Sequence, residues 1–267
     1  MSNETTIADL VTDRSPLCFT PTDQATTAVA AMVEHKSDCV LVSDADGLRG
    51  VFTQRDFLNR LASAGKSDAP LGAVMTANPS SLRESDGVMT ALHRMAVGNY
   101  RNIPILGTDD AVVTNFSVWQ VMAYLGERFA SDLAELGNHT VEALYHRPAV
   151  EVQTGDTLLN VLNLMVQRSC GAVRVHEGDA LKGIFTEQDL MHRVDYSTSE
   201  WHSIPVSEIM TADPVCIERD MTLSAALSLM NEKRYRHLPV VEDPNEEITR
   251  LVSVRELLGF VSSRLKS

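Results

Sequence analysis

An internal repeat constrains this 267-residue chain more than any other feature of its sequence. The segment Val74-Met-Thr-Ala-Asn-Pro79 returns as Ile209-Met-Thr-Ala-Asp-Pro214, and Asn99-Tyr-Arg-Asn-Ile-Pro-Ile105 returns as Arg234-Tyr-Arg-His-Leu-Pro-Val240. Gly50-Val-Phe-Thr-Gln-Arg-Asp56 returns as Gly183-Ile-Phe-Thr-Glu-Gln-Asp189, so the three matches lie 133 to 135 residues apart. Three separate matches at nearly one spacing indicate a duplicated half, with the division near residues 127–140.

Each half divides again into two units that share one pattern. Four stretches carry apolar residues at positions i, i+3, i+4 and i+7, the spacing of a helix that is buried on one face. These residues are Ala25, Ala28, Val29 and Met32; Val88, Ala91, Leu92 and Met95; Leu158, Val161, Leu162 and Met165; and Leu223, Ala226, Leu227 and Met230. An extended segment precedes each stretch, and a β-branched run, a turn, a second strand and a closing helix follow it. The predicted unit is β-α-β-β-α, and since about 60 residues bury little core, we expect units to pair.

Composition and charge exclude several classes of protein. The chain is 44% hydrophobic and 22% charged, which is typical of a soluble globular protein. Its apolar runs fall short of the roughly 20 residues of a membrane helix, and residues 1–6 are polar, so we expect a cytoplasmic protein with no membrane insertion. A net charge of −13 argues against binding to nucleic acid. Among eighteen Arg and five Lys, a few placed Arg could still serve an anionic small ligand, because Arg binds phosphate in a bidentate fork. We interpret most of the arginines as solvated surface charges.

Motifs of familiar enzymes and metal sites are absent from the sequence. Cys18, Cys39, Cys170 and Cys216 form no CxxC pair, and we interpret them as buried free thiols. The histidines show neither HExxH nor zinc spacing, and the chain lacks GxxxxGK[ST], GxGxxG and GxSxG. We therefore predict a protein that is not an enzyme and holds no metal and no prosthetic group.

Taken together, the repeated motifs resemble those of CBS-domain proteins. The resemblance rests on the Met-Thr-x-x-Pro openings at 75–79 and 210–214, the Tyr-Arg segments at 100–105 and 235–240, and the Gly-x-Phe-Thr-x-x-Asp segments at 50–56 and 183–189. It runs from about Ile7 to Leu265 and implies an α+β fold of four β-α-β-β-α CBS repeats in two pseudo-two-fold Bateman modules. The predicted repeats 1 to 4 span 7–64, 71–126, 140–195 and 204–265, with module A at 1–130 and module B at 131–267.

The family resemblance also implies a function. Clefts between paired CBS repeats hold adenosine-containing ligands, so we expect AMP, ADP or ATP as a regulatory ligand, with S-adenosylmethionine as the alternative and magnesium only as a companion of ATP. Paired modules in the family often dimerise, which predicts a homodimer. Because the four repeats use up the chain, the regulated enzyme or transporter should be a separate protein. A ligand-independent interaction scaffold stays open as a second hypothesis.

Two strand-to-helix turns carry the predicted ligand contacts, Thr53-x-x-Asp56 and Thr186-x-x-Asp189. An Asp in this position can accept hydrogen bonds from both ribose hydroxyls, and a Thr hydroxyl with the free N–H groups of the first helical turn can face a phosphate. Thr-x-x-Asp is also close to a capping box, which needs no ligand. Both interpretations stay open.

The corresponding turns of repeats 2 and 4 are variants, Ser117-x-x-Gln120 and Ser253-x-x-Glu256. A capping box tolerates Gln or Glu in the last position. A ribose pocket should be stricter, because Glu is longer and Gln is uncharged. The variation predicts two good sites, one in each module, and two doubtful ones.

By the same resemblance, the phosphate contacts come from the opposite repeat of each pair. The Asp56 cleft would receive Arg101 and Asn102, and the Asp189 cleft would receive Arg236 and His237. His237 adds a donor whose strength depends on pH. The alternative for both Tyr-Arg segments is a helix-ending loop in which Arg binds carbonyl groups or a nearby carboxylate.

The residues predicted to contact the adenine base differ between the two clefts. In the Asp189 cleft it would lie against Val215 and Cys216, whereas the equivalent Ser80 and Ser81 are polar and suit an apolar base less well. We therefore rank the Asp189 cleft first.

Overall fold

The computed structural model describes residues 5–144, 149–241 and 248–265. Module A contains α1 (Ile7–Leu10), β1 (Cys18–Phe19), α2 (Ala25–Glu34), β2 (Cys39–Asp44), β3 (Gly47–Thr53), α3 (Gln54–Arg60), α4 (Leu71–Val74), β4 (Thr76–Ala77), β5 (Leu82–Arg83), α5 (Val88–Gly98), β6 (Asn102–Leu106), β7 (Val112–Ser117) and α6 (Val118–Phe129). A short helix, α7 (Ala134–Gly137), connects it to module B.

Module B repeats this order of elements, except that 3-10 turns at Val141–Ala143 and Val206–Glu208 take the places of α1 and α4. It contains β8 (Glu151–Gln153), α8 (Leu158–Arg168), β9 (Ala172–Glu177), β10 (Ala180–Thr186), α9 (Glu187–Arg193), β11 (Thr211–Ala212), β12 (Ile217–Glu218), α10 (Leu223–Lys233), β13 (His237–Val241), β14 (Ile248–Ser253) and α11 (Val254–Arg264). Within the ranges that the structure describes, every helix is too short or too polar to cross a membrane.

Four small sheets confirm the predicted β-α-β-β-α unit. In each, the first strand runs parallel to the second, and the second pairs antiparallel with the third. The sheets of repeats 1 and 3 gain a fourth, antiparallel strand, β4 or β11, from the Met-Thr-x-x-Pro segments. These segments, predicted as the openings of repeats 2 and 4, therefore complete the sheet of the preceding repeat.

Apolar helix faces form two cores that cross the modules. Every residue of the four predicted faces is between 0% and 7% exposed, the four methionines included. In one core, α3 of repeat 1 packs against α8 and α9 of repeat 3. In the other, α5 and α6 of repeat 2 pack against α11 and α10 of repeat 4. The contact between the sheets of repeats 1 and 2 is a smaller cluster around Cys39, Leu41 and Val51.

The turn that opens each repeat docks on the other repeat of its module. The Ile7 N–H donates to the Asp86 carbonyl of repeat 2 at 2.9 Å, and the Leu71 N–H donates to the Asp23 carbonyl of repeat 1 at 2.8 Å. Module B repeats the exchange with Val141 on repeat 4 and Val206 on repeat 3. The opening turn of each repeat in the sequence therefore packs with the other repeat of its module.

Cysteine burial differs from the prediction. Cys39 is buried and Cys170 is partly buried, but Cys18 and Cys216 are exposed. Cys18 lies on β1, the edge strand of its sheet, with its side chain turned away from the core. The expectation of four buried thiols is therefore wrong for Cys18 and Cys216. The predicted turn at 242–245 lies outside the described residues.

Gly183 is required where β10 meets β11. A Cβ atom at this position would lie 2.4 Å from the Thr211 carbonyl oxygen. We expect Gly183→Ala to lower the free energy of unfolding by about 1–3 kcal/mol, because backbone must move to accept it. Urea unfolding measures this change.

Gly155→Ala is the matched control, since its Cβ would meet nothing within 4 Å. It should stay within about 0.5 kcal/mol of wild type. Equal stability of the two variants would show that the β10–β11 approach does not need glycine.

Candidate functional site

All four strand-to-helix turns are capping boxes. The Thr53 N–H and hydroxyl donate to Oδ2 of Asp56 at 3.0 and 2.6 Å. The Thr186 N–H and hydroxyl donate to Oδ2 of Asp189 at 2.9 and 2.8 Å. The variant turns adopt the same geometry with Gln120 and Glu256 as acceptors. The cap therefore accounts for the Thr/Ser-x-x-Asp/Gln/Glu pattern without a ligand.

The second carboxylate oxygen of each Asp also has protein partners. Oδ1 of Asp56 accepts the Thr76 hydroxyl at 2.7 Å and lies 3.4 Å from Arg60. Oδ1 of Asp189 accepts the Thr211 hydroxyl at 2.9 Å, and Arg193 stands 3.1 Å away in the place of Arg60. Since a carboxylate offers about four acceptor positions, ribose hydroxyls would have to replace the Thr or Arg donors.

A cavity of about 990 Å³ opens beside the Asp56 turn. It is lined on the module A side by Thr53, Asp56, Thr76, Tyr100, Arg101 and Asn102, and on the module B side by Ser169, Gly171, Arg236, His237, Ser253 and Glu256. The cavity thus runs from the predicted ribose carboxylate of repeat 1 to the variant turn of repeat 4, with guanidinium groups of both modules along it.

Helix-ending loops place these guanidinium groups. Asn99 and Arg234 cap the C-termini of helices α5 and α10, and both lie in the left-handed region at φ 58°. The chain then reverses, and the carbonyl groups of Arg101 and Arg236 accept the first N–H of α6 and α11 at 2.7 and 3.0 Å. The loop interpretation of both Tyr-Arg segments is therefore correct for the backbone, and it directs both Arg side chains to the centre of the molecule.

Ion pairs between the modules hold the two arginines. The Arg236 guanidinium donates to Oδ1 of Asp38 at 2.6 Å and also donates to Oε1 of Gln54. Arg101 lies 2.7 Å from Oε2 of Glu187, whose other oxygen accepts Nε–H of Arg55. Repeat 1 is thereby tied to repeats 3 and 4, and repeat 2 to repeat 3. The term central cluster is used below for the six residues that make these contacts: Asp38, Gln54, Arg55, Arg101, Glu187 and Arg236.

Burial strengthens the electrostatic interactions within the central cluster. Glu187 is 1% exposed and Arg236 is 5% exposed. Burial by itself raises the pKa of Glu187, but the charges of Arg101, Arg55 and Arg236 outweigh it and bring the pKa down to about 2. Burial, then the charge of Arg236, lowers the pKa of His237 to about 3. His237 is therefore neutral near pH 7, and its titration lies below the physiological range.

Sequence reasoning missed Asp38, Gln54, Glu187 and Trp119 as parts of the site. The Trp119 indole N–H donates to Oδ2 of Asp38 at 3.0 Å, and the Arg234 guanidinium lies over its ring at 4.9 Å from the centroid. No local pattern marks these residues, because their partners lie in other repeats. The one available signal was the unusual number of arginines in an acidic chain.

The predicted contacts fall into two groups. Thr53, Asp56, Arg101 and Asn102 line one cavity, and Arg236 and His237, which were predicted for the Asp189 cleft, line the same cavity. Among the described residues, Thr186, Asp189, Val215 and Cys216 do not line it. Val215 is 47% exposed and Cys216 is exposed. Ligand binding by all ten residues stays a prediction.

Metal binding has no ready site in the described part of the chain. No group of three or more His, Cys, Asp or Glu side chains comes together there in a way that could hold a metal ion.

Comparison with known proteins gives the family. The model of the CBS domain matches residues 7–63, 141–196 and 206–263. The chain therefore belongs to the CBS-domain family. Repeat 2 lies outside the matched residues, although its sheet and helices are those of the other repeats.

Individual relatives are distant. "CBS domain-containing protein CBSCBSPB1" of Arabidopsis thaliana is 25% identical over 265 residues, which cover 85% of this chain and 48% of that protein. An uncharacterised 33.4 kDa protein from the ribosomal RNA operon of Thermofilum pendens is 30% identical over 209 residues, covering 73% of this chain and 66% of that protein. The chain spans about half the length of several curated relatives that it matches.

A solved structure shares the fold along nearly the whole chain. Protein MJ1225 of Methanocaldococcus jannaschii, proposed as an archaeal homologue of g-AMPK, superposes with a TM-score of 0.82 at 19% identity. The alignment covers 96% of this chain and 100% of MJ1225. The arrangement of four repeats is therefore one that an experimental structure also shows.

The lowered pKa of His237 predicts a pH-dependent stability. Above its ordinary pKa of 6.5, His237 is neutral in both the folded and the unfolded chain. As the pH falls from 6.5 toward about 3, only the unfolded chain takes up the proton, so the free energy of unfolding decreases. One proton contributes about 1.4 kcal/mol per pH unit at 25 °C.

His237→Asn tests this contribution, because Asn102 holds the equivalent position in repeat 2. Urea unfolding at about pH 7, 6 and 5 should give the variant a shallower loss of stability than wild type, by up to one proton. Parallel curves for the two proteins would refute the assignment.

Proposed function

We propose that this chain is a non-catalytic regulatory protein that binds an adenosine-containing ligand, AMP, ADP or ATP, in the cleft at Asp56. Ligand binding changes the relative orientation of the modules, and a separate enzyme or transporter responds to this change. S-adenosylmethionine is the alternative ligand. The single observation that carries the proposal is the cavity that joins the Asp56 turn to guanidinium groups from both modules.

The cavity has the dimensions and chemistry for such a ligand. Its volume of about 990 Å³ lies within the usual range for small-molecule sites. One end offers a carboxylate that is 6% exposed on a helix N-terminus, where ribose hydroxyls can donate. Arg101 and Arg55 lie toward the centre, where a phosphate would find bidentate donors. Cavity lining favours this cleft over the Asp189 cleft that the sequence ranks first.

The central cluster supports a regulatory role. Its ion pairs and the two helix cores connect module A to module B. A ligand that binds the arginines more tightly in one arrangement of the modules than in another shifts the molecule toward that arrangement. The change in arrangement alters the surface of the molecule, and a partner protein can bind this altered surface. The same proposal includes formation of a homodimer, and magnesium as a companion of ATP.

An interaction scaffold without a ligand is the second candidate. It is favoured by the fact that Asp56, Asp189, Arg101 and Arg236 all have protein partners already. In that case the turns are caps only, and the central cluster is only structural.

Thermal unfolding of ligand-stripped protein distinguishes the two candidates. A ligand at about one hundred times its dissociation constant should stabilise the folded protein by about 2.7 kcal/mol. For a protein of this size, the Tm should rise by about 5–10 °C. Adenosine, AMP, ADP, ATP and S-adenosylmethionine form the panel.

Asp56→Asn and Asp189→Asn are matched variants for this assay. An amide preserves the cap, as Gln120 does in repeat 2, but it weakens the acceptor for ribose hydroxyls. We expect Asp56→Asn to lose most of the Tm shift, because hydrogen bonds to a charged group contribute about 1.5–3 kcal/mol. A loss confined to Asp189→Asn would move the site to the other cleft. No shift with any ligand would favour the scaffold.

A further inference from the structure

Two buried carboxylates occupy the donors that would face a phosphate. Glu187 and Asp38 lie 2.7 and 2.6 Å from the guanidinium nitrogens of Arg101 and Arg236. Both arginines line the cavity, together with Arg55, which also contacts Glu187. The side chains of Glu187, Asp38 and Arg236 are 1%, 14% and 4% exposed, so solvent screens these charges weakly.

The two halves supply these carboxylates from different positions. By the internal repeat, Gln54 is equivalent to Glu187, and Gly171 is equivalent to Asp38. Arg236 meets a neutral Gln54 but gains Asp38, whereas Arg101 gains Glu187. Each predicted phosphate-binding arginine therefore has one carboxylate counterion, although the two carboxylates occupy positions that are not equivalent in the internal repeat.

Glu187 retains an incomplete coordination. Its Oε2 lies close to Arg101, yet it makes no well-aligned hydrogen bond among the described residues. A phosphoryl group that enters the cavity would compete with this carboxylate for the guanidinium of Arg101.

We infer that Glu187 and Asp38 are internal counterions that determine which ligand charge the cavity accepts. Resting on the proposed function, this inference names the feature of the ligand that the site selects. A phosphoryl group must either displace these carboxylates or bind beside them. The cost rises with the negative charge of the ligand, so the site favours AMP over ATP relative to a site with neutral residues at both positions. The uncharged ligand adenosine is unaffected.

Glu187→Gln tests the inference, because Gln is nearly isosteric and still accepts from Arg101. Isothermal titration with adenosine, AMP, ATP and inorganic tripolyphosphate should give tighter binding in the variant for the three anions. We expect about tenfold for AMP and more for ATP and tripolyphosphate, with adenosine unchanged. Asp38→Asn should act in the same direction and serves if Glu187→Gln does not fold.

The chain provides its own opposite control at Gln54. Gln54→Glu adds a carboxylate beside Arg236 and should weaken binding of the anions while leaving adenosine unchanged. A loosened fold would not produce opposite effects in the two variants. Glu232→Gln is the control for the change in net charge, because the Glu232 side chain is 69% exposed.

The ligand arms separate the two possible failures. Equal gains for adenosine and ATP, or no gain for any anion in Glu187→Gln and Asp38→Asn, would overturn the counterion inference and leave the proposed function standing if wild type binds adenosine. Tighter tripolyphosphate binding in both variants, with no adenosine compound bound by any protein, would support the counterions and refute the proposed function. No binding of any ligand by any protein would refute both.

Discussion

Burial of four apolar helix faces is the constraint on which the rest of this structure depends. One β-α-β-β-α repeat of about 60 residues cannot bury its helices alone. The solution is two cores that join repeat 1 to repeat 3 and repeat 2 to repeat 4. This packing brings the N-terminus of α3, the N-terminus of α9 and the loops after α5 and α10 to one place between the modules.

Polar side chains that meet at this place have little contact with solvent, so they must satisfy one another. Three guanidiniums face two carboxylates and a glutamine there. Because the carboxylates come from repeats 1 and 3 and two of the arginines from repeats 2 and 4, the cluster exists only when the modules are assembled. Any anion that enters the cavity would therefore act on the contact between the modules, and this is the physical basis of the regulation that we propose.

The four copies of one turn show how a single local motif supports different chemistry. All four are capping boxes, and each fixes the start of a helix. Only the Asp56 copy combines a buried carboxylate with the cavity and with arginines beyond it. Substitution of Asp by Gln or Glu preserves the helix start, so repeats 2 and 4 could diverge in ligand chemistry without loss of the fold.

The sequence by itself determined the number of repeats through the recurrence of its motifs. It also determined the apolar helix faces, the strands and the helix caps, because these depend on patterns among residues a few positions apart. Periodicity placed Met32 and Met230 in the core, and Thr-x-x-Asp placed the caps. Tertiary structure alone decided that Arg236 meets Asp38, 198 residues away, and that Arg55 meets Glu187, 132 residues away. It also decided which cleft opens into the cavity. A pattern confined to one repeat carries no information on which repeat will face it, since that choice depends on how whole helix faces pack.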